Sequence, residues 1–315
     1  MMLLGNKYPW IKEELNAVRT ILNKVSDSAS EDIRNEIKNV IHQEDDLLRA
    51  LLVILASRFG NYDSDRMIQL AAIVELLYLA SRLQVTGFIG YGEMYSHDQL
   101  LDRCFAGDYI LAECMDMMAE RLHKEEVHAI VKCYKQLIVR EHQHLSQRFV
   151  LHNSKRHYLK HIEARSGAIL EMCFRVGAIQ SNSNAQVIKQ LSKVGYHMGM
   201  ANQLIDDLLD IDHDEELMGK TLGINIKEGV YPLPIYYLHR VIPEETSRLL
   251  AKKPIREKHI RRLIELMYQH GAIDKTRLLV QLYTRKAYNE INMLPNGEYR
   301  QVVFDTASHL LERRF

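Results

Sequence analysis

Gly195-Tyr196-His197-Met198-Gly199-Met200-Ala201-Asn202-Gln203-Leu204-Ile205-Asp206-Asp207-Leu208-Leu209-Asp210 is the densest signal in this 315-residue chain. Its apolar residues Leu204, Ile205, Leu208 and Leu209 recur at helical spacing. On a helix Asp206 and Asp210 share one face a turn apart, with Gln203 a turn before Asp206. Seven of the eleven residues from Asp206 to Glu216 are acidic. Clustered carboxylates repel unless a cation lies between them. Oxygen-only donors with water completing the shell suit Mg²⁺, which commonly bridges a carboxylate to a substrate phosphate. A generic acidic helix end is most often solvated charge. Here the acids sit inside an apolar helix, and a basic loop, Gly219-Lys220-Thr221-Leu222-Gly223-Ile224-Asn225-Ile226-Lys227-Glu228-Gly229, follows at once, its lysines able to meet a diphosphate held by the same ion.

Outward from this segment the pattern stays helical. No proline lies between Pro9 and Pro232, and apolar runs such as Leu47, Leu48, Leu51, Leu52, Leu55 keep a helical rather than an alternating period. Ser28 or Ser30 before Glu31-Asp32, and Asp63-Ser64-Asp65 before Met67–Leu83, read as helix starts. Residues 60–62 and 87–92, rich in glycine, read as breaks. Further helices are expected at about Gln99–Arg121, Val127–Val150, Arg156–Gly177 and Asn184–Leu209. No repeat or linker divides the chain, so the expected architecture is all-α, a single domain over 1–315.

Composition narrows the function classes. Lys+Arg and Asp+Glu stand at 41 each, so no global field favours nucleic acid or an anionic membrane, and any phosphate site must be local. Cys104, Cys114, Cys133 and Cys173 form no C-x-x-C pair and read as small core thiols rather than a disulfide framework. The opening residues turn polar by Asn6, and no apolar run is read as reaching the roughly 20 residues of a spanning helix. A cytoplasmic location without a membrane span is the expectation.

The stretch 195–210, followed by Gly219-Lys220 and by Glu228-Gly229 with Leu233-Pro234, resembles the second aspartate-rich region of the trans-isoprenyl (polyprenyl) diphosphate synthases, geranylgeranyl diphosphate synthase-like members included. Weaker matches extend over nearly the whole chain: Arg49-Ala50-Leu51-Leu52-Val53, Glu75-Leu76-Leu77-Tyr78-Leu79-Ala80-Ser81, Gly107-Asp108-Tyr109-Ile110-Leu111, and Tyr158-Leu159 to Ile162 with Arg165-Ser166. The resemblance implies an isoprenoid-synthase-type helical bundle around a central cavity, a homodimer or a heteromer with a related subunit. It implies Mg²⁺-dependent ionisation of an allylic diphosphate and attack by isopentenyl diphosphate. It places Asp206, Asp207 and Asp210 at the metal and gives Asp206, Asp207 and Lys220 a catalytic role. Arg165, Gln203 and Lys220 would surround the allylic diphosphate, Arg49 would be the remaining cation for isopentenyl diphosphate, and Ala80, a small residue near the floor of the chain tunnel, would permit products of C20 or longer.

One departure stands out. In the family the third helix ends in a first aspartate-rich motif, and the positions that correspond, Val85, Thr86, Gly87, Phe88 and Ile89, hold no carboxylate. The arginine pair that follows it is also replaced, the expected lysine before Arg49 is Asp46, and the expected histidine is Tyr78. Three accounts follow: a prenyltransferase, acting alone or with a partner subunit; a non-catalytic regulatory subunit of a heteromeric synthase; or class I terpene synthase-like ionisation without isopentenyl diphosphate. Phe88 and Tyr91 are expected to face or close the cavity. His157 and His161, at i and i+4, read as surface histidines, and Lys7 and the Arg313-Arg314 tail as solvated charges, the tail able to fold over a diphosphate site.

Overall fold

The structure, a computed structural model, describes residues 2–43, 47–89, 96–122, 124–151, 154–211, 222–251 and 255–312. Among them every regular element is helical. In chain order these are α1 Met2–Lys7, α2 Pro9–Asp27, α3 Glu31–Gln43, α4 Leu48–Ser57, α5 Ser64–Ile89, α6 His97–Arg121, α7 Lys124–Ser146, α8 Lys155–Ile162, a π turn Glu163–Gly167, and α9 Ala168–Gln180. Then come α10 Ala185–Leu209, α11 Ile224–Lys227, α12 Leu233–Val241, α13 Pro243–Leu250, α14 Glu257–Gln269, α15 Ala272–Asn292 and α16 Glu298–Leu311. The all-α expectation holds.

Local chemistry accounts for several boundaries. Ser96 caps α6 through a capping box with Gln99, and the Asn184 side chain accepts from the Gln186 amide to start α10. The expected break over residues 87–92 is corrected at its start, because α5 continues through Gly87 to Ile89, while residues 90–92 lie outside the described residues. A single glycine weakens a helix by only about 1 kcal/mol relative to alanine, which the core packing of the preceding residues of α5, up to Leu83, outweighs.

α4 and α5 form the centre. Every residue of α4 is buried. α5 is apolar around most of its circumference, as befits a helix covered on all sides. Its Ser64–Val85 segment is long and apolar enough to cross a membrane, which corrects the reading that no run approaches that length; 72% of its most apolar window is buried among the other helices, the signature of a core helix.

α10 packs closely on α9 and the π turn because two glycines, one turn apart, let the backbones approach. A Cβ on Gly195 would stand 2.3 Å from the Leu170 carbonyl oxygen, and one on Gly199 2.4 Å from that of Ser166. This close approach places the C-terminal half of α10, with its aspartates, beside the π turn. At the opposite end of the bundle Arg58 pairs with Glu14 and lies 3.5 Å from the centre of the Tyr62 ring, with Trp10 and Tyr299 also around it. That cluster ties α2 to α4 and α16. Lys7, read as a solvated charge, pairs with Asp305 on α16.

Candidate active site

A cavity of roughly 330 Å³ opens between α4, α5, α7, the π turn and α10. α5 presents Tyr78, Ser81, Arg82 and Val85 to it, at the i, i+3, i+4, i+7 spacing of one helix face. Facing them are Asn202, Gln203, Asp206 and Asp207 of α10. Arg49 from α4, Glu141 from α7 and Arg165 from the π turn complete the polar lining. Three arginines and three carboxylates thus converge from elements far apart in sequence.

The two adjacent aspartates have different surroundings. Asp206 is half-buried and accepts from Asn202 Nδ2 at 3.1 Å. Asp207 is buried; Tyr158 donates its hydroxyl to Oδ2 at 2.6 Å and Gln203 Nε2 donates to Oδ1 at 3.0 Å. Burial pushes the Asp207 carboxyl up to about 6, against the pull of those two hydrogen bonds and of Arg165. The Tyr158 phenol is raised well above its ordinary value by the same burial and by the adjacent carboxylate. Asp210, one turn beyond Asp206, closes α10: its carboxylate accepts from the Asn225 amide at 3.2 Å, and its carbonyl accepts from Gly223 at 2.7 Å. Gly223 sits at φ +66°, a left-handed conformation that glycine adopts without strain. Asp206, Asp207 and Asp210 therefore belong to a built helix end, on which residues 223–225 fold back.

The cations are held from behind. Arg49 Nε lies 2.8 Å from Glu75 Oε1, the other Glu75 oxygen accepts from the Ala50 amide at 3.0 Å, and the guanidinium stacks 3.5 Å from the Tyr78 ring centre. Glu75 is fully buried. Arg165 Nε lies 3.5 Å from Glu141 Oε1. It projects from a π turn, where the extra residue per turn re-aims a side chain, as such turns often do at functional sites.

Among the expected site residues, the structure brings together Arg49, Arg165, Gln203, Asp206 and Asp207. Asp210 lies one turn further along α10. Ala80 is fully buried on the side of α5 turned towards Gly107 of α6: a Cβ on that glycine would stand 3.0 Å from the Ala80 carbonyl oxygen. A small apolar pocket beside the cavity is lined instead by Val74, Leu77, Tyr134, Met172 and others, and Tyr78, Leu137 and Ile169 line both spaces. Lys220, Tyr91, Asp46 and the Arg313-Arg314 tail lie outside the described residues, and so does the side chain of Phe88.

Two features were missed from sequence. His157 and His161, read as surface residues, line a second small space with Tyr158, Arg165 and Asp207, and His157 Nε2 lies 2.6 Å from Gln147 Oε1. Arg82 is not singled out by the sequence reading, although its i+4 relation to Tyr78 places the two on one face of α5.

The residues suit a divalent ion shared with a phosphate. Among the described residues no group of three or more His, Cys, Asp or Glu side chains closes a complete protein shell. Asp206 and Asp210 offer hard oxygen donors one turn apart, and an ion there would complete its coordination with water and phosphate oxygens, as magnesium sites commonly do.

The polyprenyl synthetase family model matches residues 101–267, more than half of the chain. The chain belongs to the polyprenyl synthetase family. It is thereby placed among divalent-metal-dependent prenyltransferases. A relative from Bacillus subtilis (strain 168), heptaprenyl diphosphate synthase component 2, is 24% identical over 288 residues, covering 85% of this chain and 79% of its own. The protein of the same name from Geobacillus stearothermophilus is 23% identical across 100% of both chains. Among solved structures, the geranylgeranyl pyrophosphate synthase of Lactobacillus brevis is similar at a TM-score of 0.88 with 21% identity, over 98% of this chain and 99% of that one. A polyprenyl synthase from Caulobacter crescentus, complexed with calcium and isoprenyl diphosphate, has a TM-score of 0.88 and 24% identity, over 99% and 97%. These structures share the all-helical fold with this polyprenyl synthetase family member.

Proposed function

We propose that this chain transfers prenyl groups by holding an allylic diphosphate in the cavity between α5 and α10 and condensing it with isopentenyl diphosphate into a longer trans-prenyl diphosphate of C20 or more. The observation that carries this reading is the convergence of Asp206 and Asp207 with Arg49, Arg82 and Arg165 on one cavity. Phosphate oxygens need both a metal and fixed cations around them for a diphosphate to depart as an anion. Asp206 and Asp210 would hold a magnesium ion, which neutralises charge on the departing diphosphate. Asp207 would steady that end of α10 through Tyr158 and Gln203, and Arg165 would meet the diphosphate from the π turn. Lys220, in the basic loop after α10, would add a further cation. The apolar pocket beyond Tyr78 is the direction in which the prenyl chain would run. The product length assigned to Ala80 rests on the family resemblance. The four scattered cysteines, free among the described residues, fit a cytoplasmic protein.

Action with a partner subunit has specific support. The relatives named component 2 carry in that wording a second component. Arg49, the expected cation for isopentenyl diphosphate, already has its charge matched by Glu75. We therefore include a heteromeric assembly in the proposal, with the chain supplying the α10 carboxylates. The test is a prenyl-transfer assay on the purified chain with Mg²⁺, isopentenyl diphosphate and farnesyl diphosphate, with products resolved by chromatography. Elongated product that disappears in Asp206→Ala supports an enzyme competent alone. Absence of product together with Mg²⁺-dependent diphosphate binding supports the partner-dependent form. No diphosphate binding under any condition refutes the proposal.

A further inference from the structure

Phe149, in the turn that follows α7, sits at φ +62°, in the left-handed region that a bulky aromatic residue rarely adopts. Strain of this kind persists where the surroundings over-determine it. Here the surroundings include a second left-handed residue from a distant part of the chain: Gly229, just after α11, has φ +81°. The Phe149 amide donates to the Gly229 carbonyl at 2.9 Å, and Nε of the neighbouring Arg148 donates to the Glu228 carbonyl at 2.7 Å. The ring of Phe149 covers the glycine. A Cβ on Gly229 would stand 2.5 Å from Cγ of that ring, and its three nearest atoms would all belong to it.

This latch stands where two routes to the aspartates of α10 meet. On one side Gln147 Oε1 lies 2.6 Å from His157 Nε2, and Tyr158, the next residue of α8, donates to Asp207. On the other side the Val230 amide donates to the Asn225 carbonyl at 2.8 Å, and the Asn225 amide donates to the Asp210 carboxylate at 3.2 Å. Gly229 and Val230 line one small space with Asp207, and Val230 reaches the main cavity as well. We propose that Phe149 and Gly229 are positioning residues for the metal: their latch holds residues 223–230 against the end of α10 and so orients Asp210 for a divalent ion. This rests on the reading of the cavity as a metal–diphosphate site. Its distinctive consequence is that damage to the latch changes how much Mg²⁺ the site needs, whereas damage to the fold alone changes only stability.

The experiment is titration calorimetry of inorganic pyrophosphate into the full chain at a series of Mg²⁺ concentrations, with thermal melts alongside, for the wild type, Gly229→Ala, Phe149→Ala, the double variant and Gly271→Ala. Gly271 is the control for backbone strain alone: it too is left-handed, at φ +65°, but a Cβ there meets nothing within 4 Å, and it lines neither space. Gly229→Ala should raise the Mg²⁺ concentration needed for half-maximal binding by about tenfold to a hundredfold, the usual effect of losing a group that orients a metal ligand. Phe149→Ala should raise it by less, since the backbone bond to Gly229 remains. The double variant should need less Mg²⁺ than Gly229→Ala, because the new methyl then has no ring to strike. Gly271→Ala should lower the melting temperature and keep the wild-type Mg²⁺ requirement. A folded Gly229→Ala with the wild-type requirement overturns the latch while leaving the metal–diphosphate site standing, and so does an equal shift in Gly271→Ala. Where Gly229→Ala does not fold, Phe149→Ala decides: a raised requirement supports the latch and an unchanged one overturns it. Failure of the wild type to bind pyrophosphate at any Mg²⁺ concentration overturns the underlying reading of the cavity, and the role of the latch with it.

Discussion

Asp207→Asn is expected to stabilise the metal-free protein at alkaline pH. The Asp207 carboxyl, raised by burial from 3.8 to about 6, stays ionised at pH 8 inside the bundle at a cost. Between pH 3.8 and about 6 the folded chain holds a proton that the unfolded chain has released. Stability therefore falls as pH rises through that window, and the deficit persists above it. About two pK units correspond to roughly 3 kcal/mol. At the usual unfolding entropy per residue, a chain of 315 residues would shift its melting temperature by about 4 °C. Asparagine is nearly isosteric, never ionises, and can keep partners in Tyr158 and Gln203 if the Gln203 amide turns over. The assay is a pair of thermal melts in EDTA across pH 4 to 8. Asp207→Asn should melt above the wild type at pH 8, and the gap should close as pH falls towards 4. A variant that melts at or below the wild type at pH 8 refutes the idea that a buried anion is held there against its own solvation.

Other perturbations test the frame around the site. Glu75→Ala leaves the Arg49 guanidinium buried without its carboxylate and should cost about 3–5 kcal/mol in a denaturant titration. A loss below 1 kcal/mol would mean that the pair is not desolvated as described. Gly199→Ala forces a Cβ against the Ser166 carbonyl 2.4 Å away. It should cost about 1–3 kcal/mol and, by displacing the π turn that carries Arg165, weaken pyrophosphate binding in calorimetry. Unchanged binding in a folded Gly199→Ala would separate Arg165 from the packing of α10. Arg58→Ala strips the cation from between the Trp10, Tyr62 and Tyr299 rings and leaves Glu14 buried. It should lower the melting temperature measurably without altering pyrophosphate affinity, because the cluster lies at the far end of the bundle.

Periodicity and punctuation made the fold legible. The helix containing Asp206 was expected over Asn184–Leu209 and runs Ala185–Leu209, because an Asn cap and an unbroken apolar period are local facts. The break at Gly87 was misread for the converse reason. A local weakness of about 1 kcal/mol is too small to end a helix whose preceding residues, from Leu70 to Leu83, are packed in the core, and that packing no local rule counts. The spanning length of Ser64–Val85 was likewise underestimated, since a helix apolar around its circumference belongs either to a membrane or to a core, and only its neighbours show that they cover it.

The sequence by itself determined the chemistry on offer: an all-helical chain, three aspartates at helical spacing, a basic loop after them, and resemblance to a family that handles diphosphates. What only the tertiary structure decided is which of those groups remain available. Asp206 and Asp207 are adjacent in the chain, yet Asp206 faces the cavity with Asn202 beside it while Asp207 is drawn inwards to Tyr158. Arg49 is an arginine on a buried helix, and only its neighbours across the bundle reveal that Glu75 on α5 is matched to it. Spacing along a helix sets which side chains share a face. What that face meets, and how much water remains there to screen a charge, is set by contacts between residues far apart in sequence.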